Sequence, residues 1–185
     1  MLIRLLDFCA AFFGLLLLWP ILLIVTIIGL FDTGLPIFVQ TRVGKHKKPF
    51  KLIKFRTMSV DTQSVASHLA STSSITKLGA FLRKTKIDEL PQLINVLKGE
   101  MSLVGPRPNL FNQEDLIRER DALGVYEVLP GITGLAQVQN IDMSTPALLA
   151  KTDRKMIDTL TLTSYFRYII MTATGSGAGD AVGSK

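Results

Sequence analysis

Cysteine and histidine are scarce in this sequence of 185 residues, which holds one cysteine, Cys9, and two histidines, His46 and His68. A single cysteine excludes an internal disulfide framework and a metal site built from several thiolates. The two histidines are far apart in the sequence, so a histidine-based metal centre is not expected either. A divalent metal would therefore need oxygen ligands, which suits magnesium.

Charged residues are absent from the apolar run 8–31. As a helix with a rise of about 1.5 Å per residue, the run is long enough to cross the hydrocarbon core of a bilayer. Only Arg4 precedes it and no small-residue cleavage motif follows, so a removed signal peptide is not expected. Pro20 predicts a bend near the middle. The run is either a kinked single span, which hydropathy alone favours, or a re-entrant hairpin bent at Pro20.

Basic residues dominate the segment after the apolar run, and the formal net charge of the whole chain is +6. These residues are Arg42, Lys45, Lys47, Lys48, Lys51, Lys54 and Arg56. The positive-inside rule then predicts a cytoplasmic main body. Apolar and basic residues alternate over 50–56, which predicts a short strand after a turn at Gly44. The segment also fits a polybasic flank on anionic lipid, whereas no nucleic-acid-binding motif accompanies it.

Two adjacent acids, Asp88 and Glu89, stand where a helix is predicted to begin. Pro91 fits only the first turn of a helix, so Asp88 is predicted to be the N-cap and Gly99 to end the helix. Arg83 and further basic residues precede the pair. A helix N-terminus with a cationic rim suits phosphate binding, although acids in a first turn are also common for structural reasons. Both interpretations of the pair remain open at this point.

Arg107 lies between Pro106 and Pro108, and the two prolines restrict the backbone on either side of it. The guanidinium would lose little conformational freedom on binding an anion, but the same tripeptide also fits a rigid structural turn. Residues 130–137 predict a glycine-containing turn that enters a short strand. Residues 111–123 predict a mostly solvated helix, and residues 151–171 a last helical region suited to a membrane surface.

Four sequence blocks occur in series along the chain. They are 54–58 (KFRTM), 82–92 (LRKTKIDELPQ), 101–108 (MSLVGPRP) and 130–134 (PGITG). In this order they resemble the monotopic phosphoglycosyl transferases of bacteria, the sugar transferase family that starts the assembly of lipid-linked glycans. The resemblance covers roughly residues 2–172. Because no large domain precedes the apolar run, the chain looks like the small, single-domain form.

The resemblance implies transfer of sugar 1-phosphate from a UDP-sugar to a polyprenol phosphate such as undecaprenyl phosphate, with release of UMP. This would be the first membrane step in the synthesis of a bacterial polysaccharide, O-antigen or glycoprotein. Asp88 would be the nucleophile of a covalent phosphosugar intermediate, and Glu89, with Asp88, would hold the cofactor Mg²⁺. The substrate-binding residues that it implies are Arg56, Arg83, Arg107, Lys54 and Gln137. The sequence does not identify the sugar or the oligomeric state.

Two other function classes fit parts of the sequence. A membrane-associated, magnesium-dependent hydrolase of nucleoside diphosphate sugars would share the acidic pair but pass the intermediate to water. A basic anchor without enzymatic activity would use the polybasic segment alone to recruit partners to anionic lipid. The two classes differ from the transferase in their dependence on an added polyprenol phosphate.

The resemblance also implies an architecture. The fold class is α+β and mainly helical, in a monotopic membrane protein on the cytoplasmic face of the bacterial inner membrane. A re-entrant helix with its hinge at Pro20 would occupy residues 1–40. A cytoplasmic catalytic domain with amphipathic interfacial helices and a short β-hairpin would occupy residues 41–174, and residues 175–185 would be a flexible tail or linker scar.

Overall fold

Helices make up most of the fold, which a computed structural model describes for residues 2–62 and 74–175. The helices are α1 (Leu2–Asp32), α2 (Lys77–Thr85), α3 (Gln92–Lys98), α4 (Glu114–Ala122), α5 (Leu135–Val138), α6 (Pro146–Thr159) and α7 (Leu162–Ala173). The strands are β1 (Ile37–Val43), β2 (Pro49–Phe55), β3 (Ser102–Val104) and β4 (Gly131–Thr133). This confirms the mainly helical α+β class. The segment 59–76 is rich in serine and threonine, which predicts a loop, and most of it lies outside the described residues, as does nearly all of the predicted tail 175–185.

Helix α1 continues through Pro20 with helical residues on both sides. It is long and apolar enough to cross a membrane, with a mean hydropathy of 2.7 in its most apolar window and few buried residues there. The buried residues of α1 are Asp7, Ala11, Val25 and Gly29. They mark the side on which the helix packs against the rest of the chain, while most of its apolar side chains are exposed. This surface suits contact with lipid.

The carboxylate of Asp7 joins α1 to two other elements. Its Oδ1 accepts hydrogen bonds from the Ser102 hydroxyl at 3.0 Å, the Leu103 backbone N–H at 2.9 Å and the Tyr165 hydroxyl at 2.8 Å. Burial, and then the Asp7 carboxylate, raises the pKa of Tyr165, so the phenol stays protonated as a donor. Asp7 itself is almost fully buried, and its charge is compensated by donors from β3 and α7.

Both halves of α1 contact the same body of the protein. Near its start, the Arg4 guanidinium donates to the carbonyl of Val96 at 2.6 Å. Beyond Pro20, Val25 packs in one apolar cluster with Phe55 and Leu82. The helix therefore lies against the following domain on both sides of the proline.

The predicted strand after Gly44 is confirmed as β2, which pairs with β1 in an antiparallel hairpin. Gly44 closes the turn, since its N–H donates to the Lys48 carbonyl at 2.8 Å. The buried side chain of Asn95 then fixes the hairpin to α3. It accepts from the Ile53 N–H at 3.1 Å and donates to the Lys51 carbonyl at 2.7 Å. The sheet edge and the helix after the acidic pair thus hold one another in place.

The predicted N-cap at Asp88 is wrong. Helix α2 ends at Lys86, which adopts a left-handed conformation with φ 57°, and residues 87–89 form a separate 3-10 turn. The cap of α3 is Pro91, and Gly99 ends that helix with φ 83°, as predicted. The left-handed Lys86 separates the turn from α2. Asp88 is therefore buried in the turn instead of capping a helix.

Two further expectations about helices need correction. The last helical region is divided into α6 and α7, because a capping box between Thr161 and Ser164 begins a new helix. Phe166 and Ile170 are exposed, as an interfacial helix requires, but Met156 is buried in a core cluster with Val104. The last region thus presents only part of its apolar surface outward.

Helix α4 is less solvated than predicted, because Arg120 is fully buried in an ion pair with Asp153 of α6. The shortest distance, from Arg120 Nη2 to Asp153 Oδ2, is 2.7 Å. Arg120 Nη1 also donates to the Arg107 carbonyl at 2.8 Å and to Asn109 Oδ1 at 3.0 Å. Burial raises the pKa of Asp153, against the opposing effect of the Arg120 charge. Through the hydrogen bond from Arg120 to the Arg107 carbonyl, this ion pair holds the backbone of the loop Pro106–Pro108.

Replacement of Asp7 is expected to destabilise the fold. Asp7→Ala leaves buried donors without an acceptor, so the free energy of unfolding should fall by about 2–4 kcal/mol. Urea unfolding in detergent micelles, followed by circular dichroism, measures the change. Asp61→Ala removes an exposed carboxylate and serves as the control. An unchanged midpoint for Asp7→Ala would contradict the role of this carboxylate.

The buried ion pair predicts an asymmetric response to mutation. Asp153→Ala strands a buried guanidinium and is expected to cost about 3–5 kcal/mol of stability. Combining Arg120→Met with Asp153→Leu removes both charges and should recover more than half of that loss. The same urea titration compares the single and double variants. A double variant less stable than Asp153→Ala would refute the stranded charge as the cause.

Candidate active site

Asp88 and Glu89 lie together in the 3-10 turn between α2 and α3, and both side chains are buried. The left-handed Lys86 directs the chain into this turn, and Pro91 leads out of it into α3. Two carboxylates at such a position require nearby positive charge, because burying a charge without compensation is costly. The acidic pair is therefore held in an interior position that a simple solvated helix start would not provide.

Arg107 provides part of that charge. Its Nη2 lies 2.7 Å from Oε1 of Glu89, and both side chains are mostly shielded from solvent. The prolines on either side and the hydrogen bond from Arg120 to its carbonyl hold the Arg107 backbone. The structure thus brings together two residues that the sequence predicted separately, the second acid of the pair and the arginine between prolines.

A hollow next to Arg107 is lined by further cations. Its lining includes Arg107, Lys54 and Arg42, together with Gln92. Arg42 is buried and donates to the Pro108 carbonyl at 3.2 Å. The hollow has a volume of only about 10 Å³, so its three cationic side chains mark a concentration of positive charge that suits a phosphate lying against its rim. Of these, Arg42 was predicted only as part of a polybasic flank, so its contribution to the site was missed.

The other predicted binding residues are placed less directly. Arg83 Nε donates to the Thr57 hydroxyl at 2.9 Å, next to the block 54–58. Arg56 donates to the Leu35 carbonyl at 2.8 Å and lies over the ring of Phe38. Both residues contact the hairpin region, and neither lines the cationic hollow. Their binding to a substrate phosphate stays a prediction.

Gln137 contacts the loop that carries Arg107. Its Nε2 lies 3.4 Å from the Gly105 carbonyl, a long hydrogen bond, and its buried Oε1 has no hydrogen-bond partner in the structure. Gln137 is not among the residues that line the cationic hollow. The contact with Gly105 makes Gln137 a support of the loop, and its role in binding stays a prediction.

Lys86 is one of the basic residues that the sequence places before the acidic pair. Its Nζ donates to the Thr172 carbonyl at 3.3 Å. Burial lowers the pKa of Lys86, Glu89 opposes this shift, and Arg107 adds to it. The side chain therefore lies within electrostatic range of both members of the Glu89–Arg107 ion pair. The backbone of Lys86 is left-handed. Because the residue is not a glycine, the sequence did not indicate this conformation.

The donor set of the acidic turn fits magnesium. Within residues 2–62 and 74–175, no three histidine, cysteine, aspartate or glutamate side chains form a cluster that could hold a metal. Mg²⁺ in phosphate-transferring sites is commonly held by one or two carboxylates, with phosphate oxygens and water as the other ligands. Asp88 and Glu89 supply carboxylates of that kind, adjacent to a hollow suited to phosphate.

Comparison with known proteins identifies relatives that share most of this chain. EpsL of Bacillus subtilis, described as an uncharacterized sugar transferase, is 47% identical over 136 residues, which are 73% of this chain and 67% of EpsL. The exopolysaccharide production protein PSS of Rhizobium leguminosarum is 40% identical over 149 residues, 75% of this chain and 74% of PSS.

A third relative is the UDP-glucose:undecaprenyl-phosphate glucose-1-phosphate transferase of Caulobacter vibrioides. It is 42% identical over 143 residues, and this match covers 75% of the chain but only 54% of the relative. The family model described as bacterial sugar transferase matches residues 1–177, nearly the whole chain. The residues of the acidic turn and of the Arg107 loop all lie within that match. The chain therefore belongs to the bacterial sugar transferase family.

Proposed function

We propose that this chain transfers sugar 1-phosphate from a UDP-sugar to a polyprenol phosphate such as undecaprenyl phosphate, giving polyprenol diphosphate sugar and UMP. The observation that carries the proposal is the buried acidic turn beside the cationic hollow, joined by the Glu89–Arg107 ion pair. The names of the Caulobacter, Klebsiella and Escherichia relatives, all UDP-glucose:undecaprenyl-phosphate glucose-1-phosphate transferases, support the same reaction class. The product would serve bacterial polysaccharide or related glycoconjugate synthesis.

The donor diphosphate would bind against the cationic residues that line the hollow. Arg107, Lys54 and Arg42 supply its positive charge, and Arg107 is already held by its loop, so little side-chain freedom is lost on binding. Asp88 would then attack the phosphorus that carries the sugar. A new bond forms between an Asp88 oxygen and that phosphorus, while the bond to the UMP oxygen breaks and UMP leaves with the electron pair.

The second half of the reaction would return Asp88 to its starting state. A phosphate oxygen of the acceptor attacks the phosphosugar, and the bond between its phosphorus and Asp88 breaks. Glu89, with Asp88, would hold Mg²⁺, which supplies neutralisation of the diphosphate charge when bound. The turn is surrounded by protein, which limits the access of bulk water and favours transfer over hydrolysis of the intermediate.

We further propose a location on the cytoplasmic face of the bacterial inner membrane, which the apolar helix α1 and the basic residues of the β1–β2 hairpin support. Arg4 and Val25 contact the same domain from opposite sides of Pro20. An ordinary span would carry its first residues to the far face, away from that domain. Leu17 and Trp19, near the proline, are exposed and suit the lipid. These contacts support a re-entrant helix whose deepest part lies near Pro20.

A release assay tests the reaction and the nucleophile together. The purified chain, incubated with magnesium and a panel of UDP-sugars, is expected to release UMP at a rate that depends on added undecaprenyl phosphate. Asp88→Asn should abolish turnover and the phosphosugar adduct seen by mass spectrometry, because an amide is a far weaker nucleophile. Asp115→Asn, at an exposed position, is the control. UMP release at the same rate with and without acceptor would favour the hydrolase. Full activity of Asp88→Asn would exclude Asp88 as the nucleophile.

Cysteine labelling tests the topology. In a Cys9→Ser background, Leu2→Cys reports on the first turn of α1 and Asp61→Cys reports on the domain. A membrane-impermeant maleimide applied to intact spheroplasts should label neither site, because a re-entrant helix keeps both ends of α1 cytoplasmic. Both sites should react after permeabilisation. Labelling of Leu2→Cys in intact spheroplasts would instead establish an ordinary span.

A further inference from the structure

A second cavity is lined by Glu89, whereas the cationic hollow is lined by its ion-pair partner Arg107. It is open, has a volume of about 330 Å³, and includes Glu89 and Lys86 in its lining. Its remaining walls are mainly apolar and include Leu90, Leu93, Leu103, Ile132 and Ile169. The cavity therefore combines a hydrocarbon-like interior with charged groups at the catalytic turn.

The apolar wall of this cavity continues into the membrane helix. Leu93 belongs to the same core cluster as Ala11 of α1. A Cβ placed on Gly14 would lie only 3.2 Å from Leu93 Cδ1, so the two helices are in close contact there. On the other side, Ile170 of α7 is exposed next to the lining residue Ile169. The cavity thus borders α1 on one side, and on the other its wall continues into an exposed apolar residue of α7 that could contact lipid.

The charge at the inner end of the cavity suits a phosphate. Lys86 is held there by its bond to the Thr172 carbonyl, at the end of α7. It acts electrostatically on both Glu89 and Arg107. A phosphate approaching two carboxylates would be repelled, and an ammonium group at the cavity edge offsets that repulsion. Hydrocarbon lining with one cation beside the nucleophile matches the chemistry of an isoprenyl phosphate.

We propose that this cavity binds the first isoprenyl units of the acceptor and that Lys86 binds the acceptor phosphate. The inference rests on the proposed transfer reaction and assigns its second substrate to a place in the fold. With its chain in the cavity, the acceptor presents a phosphate oxygen to the phosphosugar on Asp88. That oxygen bonds to the phosphorus as the Asp88–phosphorus bond breaks, so the carboxylate is restored.

Two measurements on the full chain in neutral detergent separate the half-reactions. Exchange of labelled UMP into the UDP-sugar, without acceptor, reports on donor binding and on the first step. Initial rates against the concentration of undecaprenyl phosphate report on the acceptor. Lys86→Met is expected to raise the KM for undecaprenyl phosphate at least about tenfold, because it removes a charge-assisted hydrogen bond to the acceptor phosphate. The rate of UMP exchange should fall by a smaller factor. Ala173→Phe, which narrows the cavity mouth, should act in the same direction.

Matched variants test whether the positive charge of Lys86 causes the change in KM. Lys86→Arg keeps the charge and should restore most of the acceptor affinity, while Lys84→Met removes an exposed neighbouring lysine and should not alter the KM. The effects should persist with water-soluble farnesyl phosphate, whose short chain fills the cavity but does not require a bilayer. An unchanged KM in both Lys86→Met and Ala173→Phe overturns the inference, as does an effect seen only on anionic vesicles. Absence of exchange and of UMP release by the native chain would instead refute the proposed function.

Discussion

The carboxylate of Asp7 is the contact on which the position of the membrane helix depends. A buried charge without partners is costly, but here one oxygen accepts three hydrogen bonds, from Ser102, Leu103 and Tyr165. These donors belong to β3 and to α7, so a single group fixes three elements. Strand β3 leads directly into the loop of Arg107. The depth at which α1 sits in lipid therefore sets the distance between the bilayer and the catalytic turn.

The loop of Arg107 is itself held by close backbone packing. A Cβ on Gly131 would lie 2.0 Å from the Gly105 nitrogen, so any side chain at that position would separate β4 from the loop. Arg120 fixes the Arg107 carbonyl from the opposite side, and its own charge is compensated by Asp153. Because the arginine is constrained before a ligand arrives, an anion would bind it at a small entropic cost. The glycines here allow this close packing.

Local sequence patterns predicted the elements that short-range interactions determine. The stop of α3 at Gly99 is an example, since glycine marks a left-handed residue. The pattern failed at Asp88, because the chain reverses at Lys86 in a left-handed conformation that neither glycine nor asparagine announces. It failed again at Thr161, where the reciprocal partner in the capping box is Ser164 and the usual Glu or Gln signature is absent. In both cases the sequence lacks the residue type that usually indicates such a turn.

The candidate site residues could be named from motifs, but the contact between Glu89 and Arg107 could not, because they are 18 positions apart and meet only in the folded chain. Arg107 of this ion pair lines the cationic hollow together with Lys54, and Glu89 lines the apolar cavity together with Lys86. On the proposed mechanism, donor and acceptor reach Asp88 from these two sites. A covalent intermediate on Asp88 then removes any need for both large substrates to occupy one hollow. A two-step transfer permits separate approaches to a single carboxylate, because the two substrates react with it one after the other.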